Sequence, residues 1–116
     1  MFSLSQAHTY YLYGSATDMR KGFNGLSGII IDKMNGIPTD GNVYLFINKR
    51  KDKIKLLTWE AGGLVLYYKR LEKGVFELPK IEDSPQSVSI SWEMLAMMVQ
   101  GISTENLIRK KRYLKT

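Results

Sequence analysis

The chain has 116 residues, enough for one core and short for two, and its 44% hydrophobic and 24% charged content is that of a folded domain rather than a disordered segment. It has no cysteine and one histidine, His8, which excludes disulfides, thiolate metal sites, thiol catalysis and a His-rich metal centre, and fits a reducing cytoplasm. Lys and Arg number 17 against 11 Asp and Glu, and the formal net charge of +6 directs attention to polyanions.

Residues 1–116 read as one domain, with 109–116 as a basic tail. No apolar run nears the roughly 20 residues of a membrane span, so no membrane partner is expected. Met1 to Gln6 carry no basic, apolar signal pattern. Thr9-Tyr10-Tyr11-Leu12-Tyr13 is aromatic and β-branched, hence extended, and Gly14-Ser15 stops it. A helix is then expected. Thr17 or Asp18 can cap it, and Met19, Phe23, Leu26, Ile30 and Met34 form a stripe that Asn35-Gly36 and Pro38 end. Gly22, Gly25 and Gly28 lie inside that helix, each costing about 1 kcal/mol relative to Ala. Their shared flank, beside Lys21, implies close approach by a packed element, a partner chain or a nucleic-acid strand.

The middle reads as an antiparallel meander of Asn42–Asn48, Lys53–Trp59, Leu64–Leu71 and Val75–Leu78, joined by short turns. With register symmetric about each turn, Val43, Leu45, Ile47, Ile54, Leu56 and Val65 share one face, and the first helix is expected to cover it. The opposite face carries Tyr44, Phe46, Leu57, Trp59, Leu64 and Leu66 at one end and Asn48, Lys53, Lys55, Tyr68 and Arg70 at the other. Lys80–Gln86 reads as a polar loop and Val88-Ser89-Ile90 as a short edge strand. Ser91 caps a short C-terminal helix with the stripe Trp92, Leu95, Met98, Val99 and Ile102. The expected class is α+β: an antiparallel sheet, a helix on one face and a short C-terminal helix.

No spacing gathers three of the acids for a two-metal site. Asp18 and Glu93 suit helix starts, and Asp40, Asp52, Glu60 and Glu72 fall at turns. His8 has no nucleophile turn to serve, and the glycines spell no phosphate loop. No catalytic residue, metal or cofactor is therefore assigned. The basic clusters stand out instead. Lys49, Arg50, Lys51, Lys53 and Lys55 crowd one hairpin, Lys69 and Arg70 lie on the next strand, and Arg109, Lys110, Lys111 and Arg112 form a tail run. Cations in such a row match phosphates, and Tyr68 and Phe46 beside Lys55 offer rings to unpaired bases. A solvated hairpin tip is the plainer alternative for one cluster.

Thr17-Asp18-Met19-Arg20-Lys21-Gly22-Phe23-Asn24-Gly25-Leu26 resembles the opening motif of the TnpB accessory proteins of insertion-sequence-66 type transposable elements. Lys53-Ile54-Lys55-Leu56-Leu57-Thr58-Trp59, Leu66-Tyr67-Tyr68-Lys69-Arg70-Leu71-Glu72-Lys73-Gly74, Phe76-Glu77-Leu78-Pro79 and Ser91-Trp92-Glu93-Met94-Leu95 resemble later motifs, in order. One departure is local: the family's Trp-Asp-Gly-x-Gly is here Trp59-Glu60-Ala61-Gly62-Gly63. The resemblance implies a non-catalytic bacterial protein, encoded beside a larger transposase and needed with it for efficient transposition. Two functions then follow as expectations. In one, the basic hairpin and tail bind DNA at the element ends. In the other, an adaptor surface docks on the transposase, with Arg20, Lys21, Gly22, Gly25, Gly28, Trp59 and Tyr68 as partner-facing candidates beside Leu64 and Leu66.

Overall fold

The computed structural model describes residues 4–78 and 86–100. Its elements are β1 (Tyr10–Leu12), α1 (Phe23–Asp32), β2 (Val43–Ile47), β3 (Lys53–Glu60), β4 (Gly63–Arg70), β5 (Val88–Ile90) and α2 (Trp92–Gln100). The class is α+β, as expected, and the strands form one mixed sheet in the order β4-β3-β2-β1-β5. The meander is β2-β3-β4. Its registers run from Val43↔Thr58 to Ile47↔Ile54 and from Lys53↔Arg70 to Glu60↔Gly63, as symmetric turns require. The β3–β4 turn has Ala61 at φ 47° and Gly62 at φ 87°. Both are left-handed, the geometry that matches strand twist in a two-residue hairpin.

Three expectations are corrected. First, Val75–Leu78 is not a fourth meander strand. After β4 the chain folds back over the β2–β3 turn, with the Leu71 amide donating to the Asp52 carbonyl at 2.8 Å and the Phe76 amide to Lys51 at 2.7 Å. The Phe76 ring is buried, so burial of one large side chain prevails over the alternation that a strand needs. Second, β1 pairs with β2 in parallel. A parallel pair needs a crossover, and α1 supplies it.

Third, α1 covers the other face of the sheet. Leu26, Ile30 and Met34 pack on Tyr44, Phe46 and Leu57. The Val43, Leu45, Ile47, Ile54 and Leu56 face, which Tyr10 and Leu12 of β1 extend, is covered instead by Leu95 and Met98 of α2, with Phe76 and Leu4. Strand alternation separates two faces but does not say which one receives a helix. The handedness of the crossover decides that.

α1 is also shorter than its stripe, beginning after Gly22. The Thr17 amide extends the β2 end by donating to the Ile47 carbonyl at 2.9 Å, and Asp18 Oδ1 accepts the Arg20 amide at 2.9 Å. The expected helix caps are thus used in a loop. The glycine flank is not packed: a Cβ at Gly22 or Gly28 would meet nothing within 4 Å, and at Gly25 the nearest atoms are Lys21 side-chain carbons at 3.1 Å. The close approach is at Gly36, where a Cβ would lie 2.6 Å from Tyr44 Oη and 2.9 Å from Ile30 Cγ2. Tyr44 cannot retreat freely, because its hydroxyl donates to Asp40 Oδ2 at 2.7 Å.

Gly36→Ala should therefore cost about 1–3 kcal/mol by overpacking. Ala61→Gly should raise stability by about 1 kcal/mol, since it relieves a left-handed alanine. Urea unfolding midpoints of the two variants, moving in opposite directions, check both.

Candidate nucleic-acid interface

The β2–β3 turn is built by Asn48. Its Oδ1 accepts the amides of Asp52 at 3.1 Å and Lys53 at 3.0 Å, and its Nδ2 donates to Asp52 Oδ1 at 2.6 Å. That side-chain bond is the main cause holding the Asp52 carboxyl below its usual range. The Lys51 amide closes the turn on the Asn48 carbonyl at 3.1 Å, with Lys51 at φ 61°. A sewn turn holds the backbone beneath Lys49, Arg50 and Lys51 still while their side chains stay exposed.

The loop before α1 meets the same end of the sheet through Lys55. This side chain is 6% exposed. Its ammonium donates to the carbonyls of Met19 at 2.7 Å and Lys21 at 2.8 Å, and lies 4.7 Å from the centre of the Tyr68 ring. A buried ammonium is tolerated when its donors are spent on acceptors in this way. Lys55 is therefore corrected from a phosphate contact to a post that holds the loop, and Tyr68 covers it.

The loop so held presents Arg20 and Lys21 on the surface. Asp18 clamps Arg20, with Oδ2 2.7 Å from Nη2 and 3.0 Å from Nε. The Arg20 bond is the main cause that lowers the Asp18 carboxyl to about 2. Lys53 lies 3.6 Å from Asp52 and Arg70 lies 3.2 Å from Glu72. Each acid here is thus matched to one cation by an ion pair, and among the described residues Lys21, Lys49, Arg50 and Lys51 form none.

The remaining expected site residues lie elsewhere. Lys69 is opposite Ile54, on the α2 face, and its ammonium donates to the Val99 carbonyl at 2.6 Å. There it complements the negative end of α2. Trp59 is cross-strand from Leu64 at the far end of β3, 37% exposed. Arg109, Lys110, Lys111 and Arg112 lie outside the described residues. The sequence reading missed the Asp18 clamp and the Asn48 turn. The signals were there: an Asp two residues before an Arg, and an Asn with an Asp four residues later.

A recess of about 180 Å³ sits near Gly36 and is lined by Tyr11, Met34, Asn35, Asp40, Asn42 and Tyr44. Asp40 accepts from the Asn42 amide at 2.8 Å, from its side chain at 3.0 Å and from Tyr44. Burial, helped by the Asp40 bond, pushes the Tyr44 hydroxyl up to about 12. This network pins the loop before β2. Among the described residues no group of three or more His, Cys, Asp or Glu could hold a metal ion, and no helix is long and apolar enough to cross a membrane.

The sequence profile of the IS66 Orf2-like proteins matches residues 8–109. The chain belongs to that family. IS66 Orf2-like proteins are accessory proteins associated with transposition. Two proteins of Sinorhizobium fredii (strain NBRC 101917 / NGR234) are similar. Uncharacterized protein y4jC is 30% identical over 93 residues, 80% of this chain and 78% of the relative. Uncharacterized protein y4hO is 31% identical over 86 residues, 74% and 73% of the two chains. No solved structure matches. For this IS66 Orf2-like protein the profile spans the Lys55 post, the loop it holds and the basic turn alike.

Lys55→Met keeps the apolar stem and removes the ammonium, leaving the Met19 and Lys21 carbonyls without that donor. The expected loss is about 2–3 kcal/mol, as for buried charge-assisted bonds. Hydrogen exchange should show residues 18–22 opening while the β3–β4 hairpin amides stay protected.

Proposed function

We propose that this accessory protein contacts DNA directly, gripping phosphates with the cationic end of its sheet. The observation that carries the reading is the convergence of two separate segments on that end. The sewn turn brings Lys49, Arg50 and Lys51, and the loop held by Lys55 brings Arg20 and Lys21. Lys53 and Arg70 stand between them as a cross-strand pair. A solvated hairpin tip alone would not need a second basic loop docked against it by a buried lysine. Tyr68, 53% exposed over Lys55, adds a ring on which an unpaired base can stack. The basic residues 109–112 supply a second contact from beyond the described region.

Contacts of this kind position a backbone and read no bases. Binding by the isolated chain is then weakly specific, and the transposase or DNA shape supplies the choice of site. The adaptor reading draws on a different observation. The glycine flank of α1 has open space at Gly22 and Gly28, and Ile31 on the same helix is 56% exposed, so a partner chain has access there.

Salt separates the two readings. With about five phosphates neutralised, log affinity against log salt should fall with a slope near −4 to −5. Replacing Lys49 and Arg50 with Glu should weaken binding to all duplex sequences alike and make the slope shallower by about two. Gel-shift titrations at several salt concentrations read both. Unchanged affinity and slope in a folded double variant would transfer the role to the adaptor surface.

A further inference from the structure

Among the described residues the sheet has an open long edge. β4 is a terminal strand of eight residues, and its one neighbour is β3. In a two-residue hairpin the closing pair, here Glu60 and Gly63, exchanges its hydrogen bonds, and alternate pairs follow. The Leu71 amide, which donates to Asp52, keeps that parity. Leu64, Leu66, Tyr68 and Arg70 therefore direct their amides and carbonyls away from the sheet.

Natural edges are blunted by charge, proline, bulges or shortness. β5, the other edge, is blunted by its three-residue length. β4 has no proline, and its run Leu64-Val65-Leu66-Tyr67-Tyr68 is uncharged, with cations at one end alone, Lys69 and Arg70.

We propose that this edge pairs with β4 of a second copy of the chain, antiparallel about a two-fold axis at Leu66, to make one continuous ten-stranded sheet. The charge pattern selects this occupant and this direction. Antiparallel pairing sets Arg70 of each copy at the Glu60–Gly63 end of the other, so the two cationic ends stay apart, whereas parallel pairing would set them side by side. The aromatic pattern agrees. On the α1 face the exposed rings of Trp59 and Tyr68 lie at opposite ends of the hairpin. The two-fold brings Tyr68 of one copy opposite Leu64 of the other, beside the Trp59 that Leu64 already faces. Each half-exposed ring thereby gains an apolar neighbour across the new seam. The inference uses the β4 edge and not Lys49, Arg50 or Lys51 of the turn, and it shares Tyr68 and Arg70 with the proposed DNA contact.

The test uses the full chain. Light scattering after size exclusion at micromolar concentration should give twice the 13.3 kDa chain mass. Leu66→Lys and Leu66→Glu set like charges across the axis, so each alone should shift to the monomer mass and their mixture should return to the dimer mass. Because the chain has no cysteine, Leu66→Cys is a unique reporter that also keeps the side chain small and uncharged. Hydrogen-bonded antiparallel partners have Cα atoms about 5.5 Å apart, within the range a disulfide spans. Leu66→Cys should cross-link under mild oxidation and Ser89→Cys, on β5, should not. A monomeric native chain overturns the proposal, as does a dimer that cross-links at Ser89→Cys and not at Leu66→Cys, or one that Leu66→Lys leaves intact. If the charged variants fail to fold, the cysteine pair decides.

Discussion

The Lys55 ammonium is the contact on which the basic end of the molecule depends. A charge in this position is stable because two backbone carbonyls and an aromatic face replace its water. Those carbonyls belong to Met19 and Lys21, on either side of Arg20, so one side chain near the start of β3 fixes both ends of a short exposed cationic segment. It also fixes where α1 begins. Gly22 follows the second carbonyl, and the helix starts there without a side-chain cap. The loop, the helix start and the strand are thereby one unit.

The sheet makes that unit possible by having two apolar faces with separate covers. α1 and its Leu26, Ile30 and Met34 close one, while α2 and Phe76 close the other. Both covers leave the end beyond Ile47 and Lys53 to polar turns. Cations collect there at little cost, because their side chains reach water, which screens their repulsion. Asp18, Asp52 and Glu72 tie down single cations and leave the turn itself with an excess of positive charge.

Membership of the IS66 Orf2-like family gives this geometry its setting: an accessory protein associated with transposition. The basic turn and the β4 edge meet at Tyr68 and Arg70, which belong to both, while the glycine flank of α1 stands apart from them.

Local chemistry makes much of the fold legible in the sequence. Turn residues and alternation placed β2, β3 and β4 with their register, and composition together with motif resemblance indicated an α+β accessory protein. The Lys53–Arg70 pairing followed from the length of one turn. What required the tertiary structure were the relations between segments distant in sequence. Strand alternation is the same whichever face a helix covers, so the position of α1 depended on the crossover from β1 to β2. Lys55 reads as one more surface cation in a basic hairpin, because nothing near it in sequence shows that the carbonyls of residues 19 and 21 arrive above it. The glycines of α1 read as a packing flank until the space around them was seen to be open, whereas Gly36, which looked like a simple helix stop, proved to be the close contact. Propensity and pattern act over a few residues. The identity of the group that meets a buried ammonium or crowds a glycine is set by chain segments folded together from afar.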